Sequence, residues 1–310
     1  MENKRLNVLF SSDDNYAQHL GAAMYSLLSH NLDFEEICIY IIENDISGAN
    51  KEKLECISSR FGNSVITWIP FARWKEKLKL SMAWDISISS YARLFLAEML
   101  PETVDRVLYL DCDMIVCGSL RELWNTDLQG KVLGAVQDSV NDSTKAAVEL
   151  LPQDPYFNSG LLLVNLTAWR EQETGGKCLA FINRYEGRVV HHDQGVLNGV
   201  LKSNWYRLPL ENNLMTIHYM FNMDQIQRYY VDHASFYTEE EINTAKKNPV
   251  ILHFTPSFTS RPWVKGCAHP AAQKYWAAVR ETPWKDAKPE ADHAKWYVRL
   301  INWRYRTFKC

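Results

Sequence analysis

Apolar positions along this chain fall into short runs separated by longer amphipathic stretches, and the alternation predicts its elements. "LNVLF" (6–10) reads as a buried strand that ends in the polar cluster Ser11, Ser12, Asp13, Asp14 and Asn15, and a helix is expected from Tyr16 to about His30. "EICIYIIEN" (36–44), a helical stretch from Ala49 to Phe61, "SVITWIP" (64–70) and a helix from Tyr91 to Met99 closed by Pro101 follow. Further strands are expected at "RVLYLD" (106–111), "VLGAVQD" (132–138) and "GLLLVNL" (160–166), with helices at Trp169 to Arg184 and Asp193 to Leu201. Strands alternating with helices imply βαβ units and a mostly parallel sheet in an α/β fold. In such sheets ligands sit beyond the carboxyl ends of the strands, which is where Asp13, Asp111 and Asp113 fall.

Composition narrows this picture. The chain has 310 residues, 46% of them hydrophobic, enough to bury a sizeable core. With 34 basic and 37 acidic residues the net charge is -3, so the whole chain carries no footprint for nucleic acid. Seven cysteines form an odd set without a C-x-x-C pair, which argues against a disulfide framework or a zinc knuckle and for reduced thiols in the cytoplasm. The apolar stretch near the N-terminus is too short for a signal segment or a spanning helix, so export is not expected.

"RVLYLDCDMIVCGSL" (106–120) delivers two carboxylates, one residue apart, at the end of an apolar run. Buried charges need a partner, because an ionised carboxylate taken out of water alone is costly. Both side chains can turn to one side and ligate a hard divalent ion that leaves positions for a diphosphate. An isolated D-x-D is equally compatible with two solvated turn aspartates. "NPVILHFT" (248–255) delivers His253 in the same way. A histidine there is commonly structural, but as a third ligand it would complete an O/O/N set better suited to Mn²⁺ than to Mg²⁺. No G-x-x-x-x-G-K-[ST], no G-x-G-x-x-G after the first strand and no H-E-x-x-H is present, so a metal and scattered donors would have to hold any phosphates.

Six segments, "FSSDDNYAQHLGAAMYSLL", "SSYARLFLAEMLP", "RVLYLDCDMIVCGSLRELW", "YFNSGLLLVNLTAWR", "HHDQGVLNG" and "ILHFTPSFTSRPW", follow in order the landmarks of glycosyltransferase family 8. The resemblance covers roughly residues 5 to 265. It implies the GT-A fold, a mostly parallel sheet flanked by helices, and retaining transfer of galactose or glucose from UDP-galactose or UDP-glucose to a glycan or glycolipid hydroxyl. It further implies Mn²⁺, with Mg²⁺ as the alternative, held by Asp111, Asp113 and His253. Ser11, Asp13, Asn15 and Tyr16 match the segment at the uridine, and Arg93 matches a donor-binding arginine. Cys112 belongs to the donor-binding D-x-D segment, Asn158 and Ser159 match residues near the donor sugar, and Arg261 matches a cation on the diphosphate. Asp193 and Gln194 match the catalytic D-Q pair, with the Gln194 amide oxygen near the anomeric carbon.

Departures from the pattern are Gly195, where many members have a second aspartate, Pro256 in "HFTP", Arg261 in place of lysine, and Asp85 where a histidine is frequent. Residues 1–268 are expected to form the catalytic domain and 269–310 a helical extension. Its end, "KWYVRLINWRYRTFKC" (295–310), mixes aromatic and basic residues without an acidic one, which suits either an anionic membrane surface, placing the protein at the inner face of the cytoplasmic membrane, or packing on the domain. Two rivals follow from the same residues: a D-x-D phosphohydrolase of the haloacid dehalogenase type, and a non-catalytic nucleotide-sugar binding protein.

Overall fold

The apolar runs become strands whose side chains alternate between two buried faces. In the computed structural model, which describes residues 4–78, 88–230, 235–256 and 258–308, the strands are β1 (Arg5–Asp13), β2 (Glu36–Asn44), β3 (Ser64–Pro70), β4 (Arg106–Leu110), β5 (Met114–Val116) and β6 (Leu133–Ala135). They continue with β7 (Gln137–Asp138), β8 (Tyr156–Phe157), β9 (Leu161–Asn165), β10 (Trp205–Arg207), β11 (Leu214–Met215) and β12 (Ile251–His253). Ile37, Ile39 and Ile41 of β2 enter one core, with Leu20, Met24 and Leu27 of the helix Ala17–Ser29. Cys38, Tyr40 and Ile42 enter the other, with Phe181, Val196 and Leu197 of the helices Thr174–Arg184 and His192–Leu201. Burial on both faces explains why β1 and β2 read as unbroken apolar runs.

The main sheet has seven strands in the order β10-β6-β9-β4-β1-β2-β3. Its pairs β1–β2, β1–β4, β2–β3 and β6–β10 are parallel, while β9 runs antiparallel to both β4 and β6. A second sheet, β11-β12-β5, pairs β12 with β5 in antiparallel register, His253 opposite Met114.

Three expected elements differ in detail. Ile88–Phe95 is a 3₁₀ helix that turns α-helical only over Leu96–Met99. The carbonyls of Ser89 and Ser90 accept from Ser11 Oγ (2.8 Å) and Arg93 Nε (3.0 Å), which diverts them from an α-helical ladder. "VLGAVQD" divides into β6 and β7, because β7 leaves the main sheet to pair with β8. The stretch Trp169 to Arg184 breaks at Glu173, whose φ of 52° separates Leu166–Glu171 from Thr174–Arg184. Asp85, Lys309 and Cys310 lie outside the described residues.

Beyond residue 268, the helix Ala272–Arg280 packs on Ala17–Ser29, and Tyr275 sits in the first core. Its hydroxyl meets His19 Nδ1 at 2.8 Å, and the His19 ring stacks on Trp263 at 3.8 Å between centroids. In the helix Trp296–Phe308, Trp296, Tyr297, Leu300 and Trp303 are exposed. No helix among the described residues is long and apolar enough to cross a membrane.

Burial holds His19 and His218 down to about 3 and His269 to about 4. In the unfolded chain these groups take up protons near pH 6.5, so between about pH 6.5 and 4 the unfolded state binds more protons and stability falls as pH falls. Urea unfolding is expected to show a lower midpoint at pH 5 than at pH 7, with each histidine contributing up to about 1.4 kcal/mol per pH unit across that window.

Candidate active site

The strand registers decide which chemistry meets at the sheet's carboxyl edge. Asp111 follows β4 and its N–H donates to Gly160 O at 2.8 Å, so the turn before β9 lies beside the D-x-D. Phe254 N donates to Asp113 O at 2.9 Å, extending the β5–β12 pairing and carrying His253 to the same point. His253 Nε2 lies 3.2 Å from Asp113 Oδ1 and 4.0 Å from Asp111 Oδ2. The ligand atoms of the three residues lie within 4.8 Å of one another. Gly160 permits this approach, since a Cβ there would come within 2.4 Å of His253 Cε1 and 2.9 Å of Asp111 Oδ2.

Arg93, nearly fully buried, bridges two carboxylates: Nη2 to Asp111 Oδ1 at 2.7 Å and Nε to Asp193 Oδ2 at 3.1 Å. Tyr109 adds a hydroxyl donated to Asp111 Oδ1 at 2.9 Å. Burial still raises the Asp111 carboxyl above its usual range, against Arg93 and with Asp113 adding repulsion. For Asp113 burial pushes upward as well but is outweighed by His253 and Arg261, which hold it below the usual carboxylate range. Arg261 reaches Asp113 Oδ2 with both Nε and Nη2 at 3.2 Å.

Above this cluster opens a cleft of about 390 Å³ lined by Ser11, Asp13, Tyr16, Arg93, Asp111, Cys112, Asp113 and Arg261 among others. The structure thus gathers most residues expected at the nucleotide. Tyr16 meets Trp263 edge-on at 6.2 Å. Cys112 is buried, its thiol donated to Ser11 O at 3.3 Å. Asn15 stands apart, exposed in the 3₁₀ turn Asp14–Tyr16 and outside the cleft lining.

Buried Asn158, Ser159 and Asp193 and half-buried Gln194 form a second layer. Gln194 Oε1 accepts from Ser159 N (3.1 Å) and Asn158 Nδ2 (3.2 Å), while its Nε2 donates to Asp138 Oδ2 at 3.2 Å. Ser159 Oγ donates to Asp193 Oδ2 at 3.0 Å. Three residues of this layer went unread in the sequence: Asp138, Asn198 and Asn213. Asn198 bonds both backbone groups of Phe157 and the Gln194 carbonyl, each at 2.9 Å, which anchors the helix His192–Leu201. An asparagine amid "VLNGVL" was its available signal.

The donor set fits a divalent cation: two carboxylates and an imidazole converge, and the Asp111 charge is incompletely balanced by protein cations. The family model described as glycosyl transferase family 8 matches residues 7–267. The chain belongs to glycosyltransferase family 8. This family 8 chain is 28% identical over 284 residues to General stress protein A of Bacillus subtilis, covering 90% of this chain and 94% of that one. It is 27% identical to lipopolysaccharide 1,2-glucosyltransferase of Escherichia coli, with 92% and 80% covered. Among solved structures it resembles the galactosyltransferase LgtC in complex with donor and acceptor sugar analogs, with a TM-score of 0.71, 25% identity and coverage of 96% and 100%. The fold is GT-A and the transferase is an enzyme of this class, which removes the phosphohydrolase reading.

Gly195 in this transferase has no room for the second aspartate of a D-Q-D sequence, because a Cβ would lie 1.9 Å from Val190 O. Gly195→Asp is expected to destabilise the fold by about 3 kcal/mol or more, checked by urea unfolding. Arg93→Met leaves two buried carboxylates without their shared cation and is expected to cost about 3–5 kcal/mol in the same measurement.

Proposed function

We infer that the protein is a retaining hexosyltransferase that moves galactose or glucose from a UDP-sugar to a hydroxyl of a glycan or glycolipid. The observation that carries this reading is the convergence of Asp111, Asp113 and His253, with the two aspartates lining a polar cleft that Arg261 also lines. Mn²⁺ would be held by those three residues and, when bound, supplies Lewis-acid stabilisation of the departing diphosphate. Arg261 offers a second positive charge to the phosphates, and Ser11, Asp13 and Tyr16, which line the cleft, form the uridine side, without Asn15.

On the sugar side, Asn158, Ser159 and Asp193 orient hydroxyls around the reacting carbon. Gln194 is pinned at both ends of its amide, so its oxygen dipole is fixed before charge develops at the anomeric centre. An amide is a poor nucleophile, and position 195 admits no carboxylate, which favours departure and attack on the same face over a covalent intermediate. In that reading the leaving phosphate accepts the acceptor's proton. A cavity of about 210 Å³ lined by Asp138, Asn141, Thr144, His191 and Tyr230 adjoins Gln194 through Asp138 and suits the acceptor's hydroxyls.

The similarity to a lipopolysaccharide glucosyltransferase supports a lipid-linked glycan as acceptor. A peripheral place at the inner face of the cytoplasmic membrane is consistent with the exposed Trp296, Tyr297, Leu300 and Trp303, with Lys295, Arg299 and Arg304 nearby. The unbridged thiols of Cys38, Cys56, Cys112, Cys117 and Cys178 fit a reducing compartment.

Calorimetric titration with UDP is expected to show binding in Mn²⁺ and none after chelation, with Asp113→Asn weakening it at least tenfold. Slow hydrolysis of UDP-galactose or UDP-glucose is expected alongside. UDP binding that ignores the metal would overturn the assignment, and metal-dependent binding without turnover on any acceptor or water would mark a binding protein.

A further inference from the structure

The imidazole of His253 has two nitrogens, and only Nε2 faces Asp111 and Asp113. For Nε2 to serve as a ligand, Nδ1 must carry the ring proton and hand it to an acceptor. That acceptor is Asn213 Oδ1, 3.0 Å away on a side chain with no exposed surface. Asn213 closes the 3₁₀ turn Leu210–Asn213 just before β11, and the parallel β11–β12 register, Met215 beside His253, brings it alongside the histidine.

An amide could present either end to the ring, so something else must orient it. Gly160 N–H, which can only donate, is bonded to Asn158 Oδ1 at 3.0 Å. That fixes Asn158 with its oxygen toward Asn213 and its nitrogen toward Asp138 and Gln194. Asn213 must therefore present Nδ2 to the same oxygen, which it does at 3.0 Å, leaving Oδ1 for His253. The orientation of each group follows from one backbone N–H.

We propose that Asn213 is a positioning residue that sets the His253 tautomer for metal binding and ties the metal site to the Asn158–Gln194–Asp138 layer around the sugar. The proposal rests on the metal-dependent transfer inferred above. The two bonds use different ends of the Asn213 amide, so two substitutions separate them. Asn213→Leu removes both. Asn213→Asp keeps an acceptor for His253 Nδ1 but loses the donor to Asn158.

On the full chain, Mn²⁺ titration by calorimetry is expected to show affinity reduced about 10- to 100-fold in Asn213→Leu and within about threefold of wild type in Asn213→Asp. Turnover number in Asn213→Asp is expected to fall at least tenfold with little change in Mn²⁺ affinity. Equal losses of affinity in both variants, or none in Asn213→Leu, would overturn the role. If Asn213→Leu does not fold, ¹⁵N spectra of histidine-labelled, Cd²⁺-loaded wild-type protein carry the test: Nδ1 protonated and Nε2 metal-bound is the expected signature, and the reverse overturns it. A wild-type protein that takes up no Mn²⁺ would fail the metal reading itself, whereas normal uptake unchanged by Asn213→Leu fails only the Asn213 assignment.

Discussion

Three buried or half-buried carboxylates, Asp111, Asp113 and Asp193, are held together at one edge of the sheet, and much of the surrounding structure serves to make that tolerable. Ionised groups removed from water demand compensation, and here it comes from Arg93 and Arg261, delivered by different segments. Arg93 is diverted into a 3₁₀ turn to reach both Asp111 and Asp193. Arg261 arrives from a loop far along the chain, with its guanidinium 5.7 Å from the centre of the Trp263 ring two residues on. Burial still raises the Asp111 carboxyl above its usual range despite Arg93, and a divalent cation beside it would add the charge that favours its ionised form.

The long apolar runs made β1, β2 and β4 legible, because burial on both faces leaves a continuous signal in the residues themselves, while the edge strand β3 was legible from its β-branched and aromatic residues although none of it is buried. Boundaries set by side-chain competition for backbone carbonyls were not legible. Ser11 and Arg93 are 82 positions apart in the sequence, and nothing local in "SSYARLF" announces that its serine carbonyls are already taken. The same limit applies to "VLGAVQD", whose second half finds its partner in β8 rather than in the main sheet.

At the site, charged residues at strand ends were readable and their uncharged supports were not. Asp111, Asp113 and His253 stood out through position and chemistry, and the family resemblance drew in Arg93, Asn158, Asp193 and Gln194. Asn213 sits in "LENNLM", indistinguishable in sequence from an ordinary turn asparagine. Its importance comes from where β11 and β12 place it, which is tertiary information. Gly195 illustrates the reverse case. In the sequence it looked like the loss of a carboxylate, whereas in the structure Val190 O occupies the space a side chain would need.

The aromatic stack of Trp263 on His19, with Tyr275 bonded to the same imidazole, bears on how the C-terminal region is divided. Tyr275 belongs to the helix after the D-x-D and D-Q segments, yet through His19 and Trp263 it braces the loop that aims Arg261 at Asp113. The part of the chain beyond residue 268 is therefore not a detachable anchor as a whole. Its first helix is a buttress for the loop that carries Arg261, whereas the helix Trp296–Phe308 exposes Trp296, Tyr297, Leu300 and Trp303.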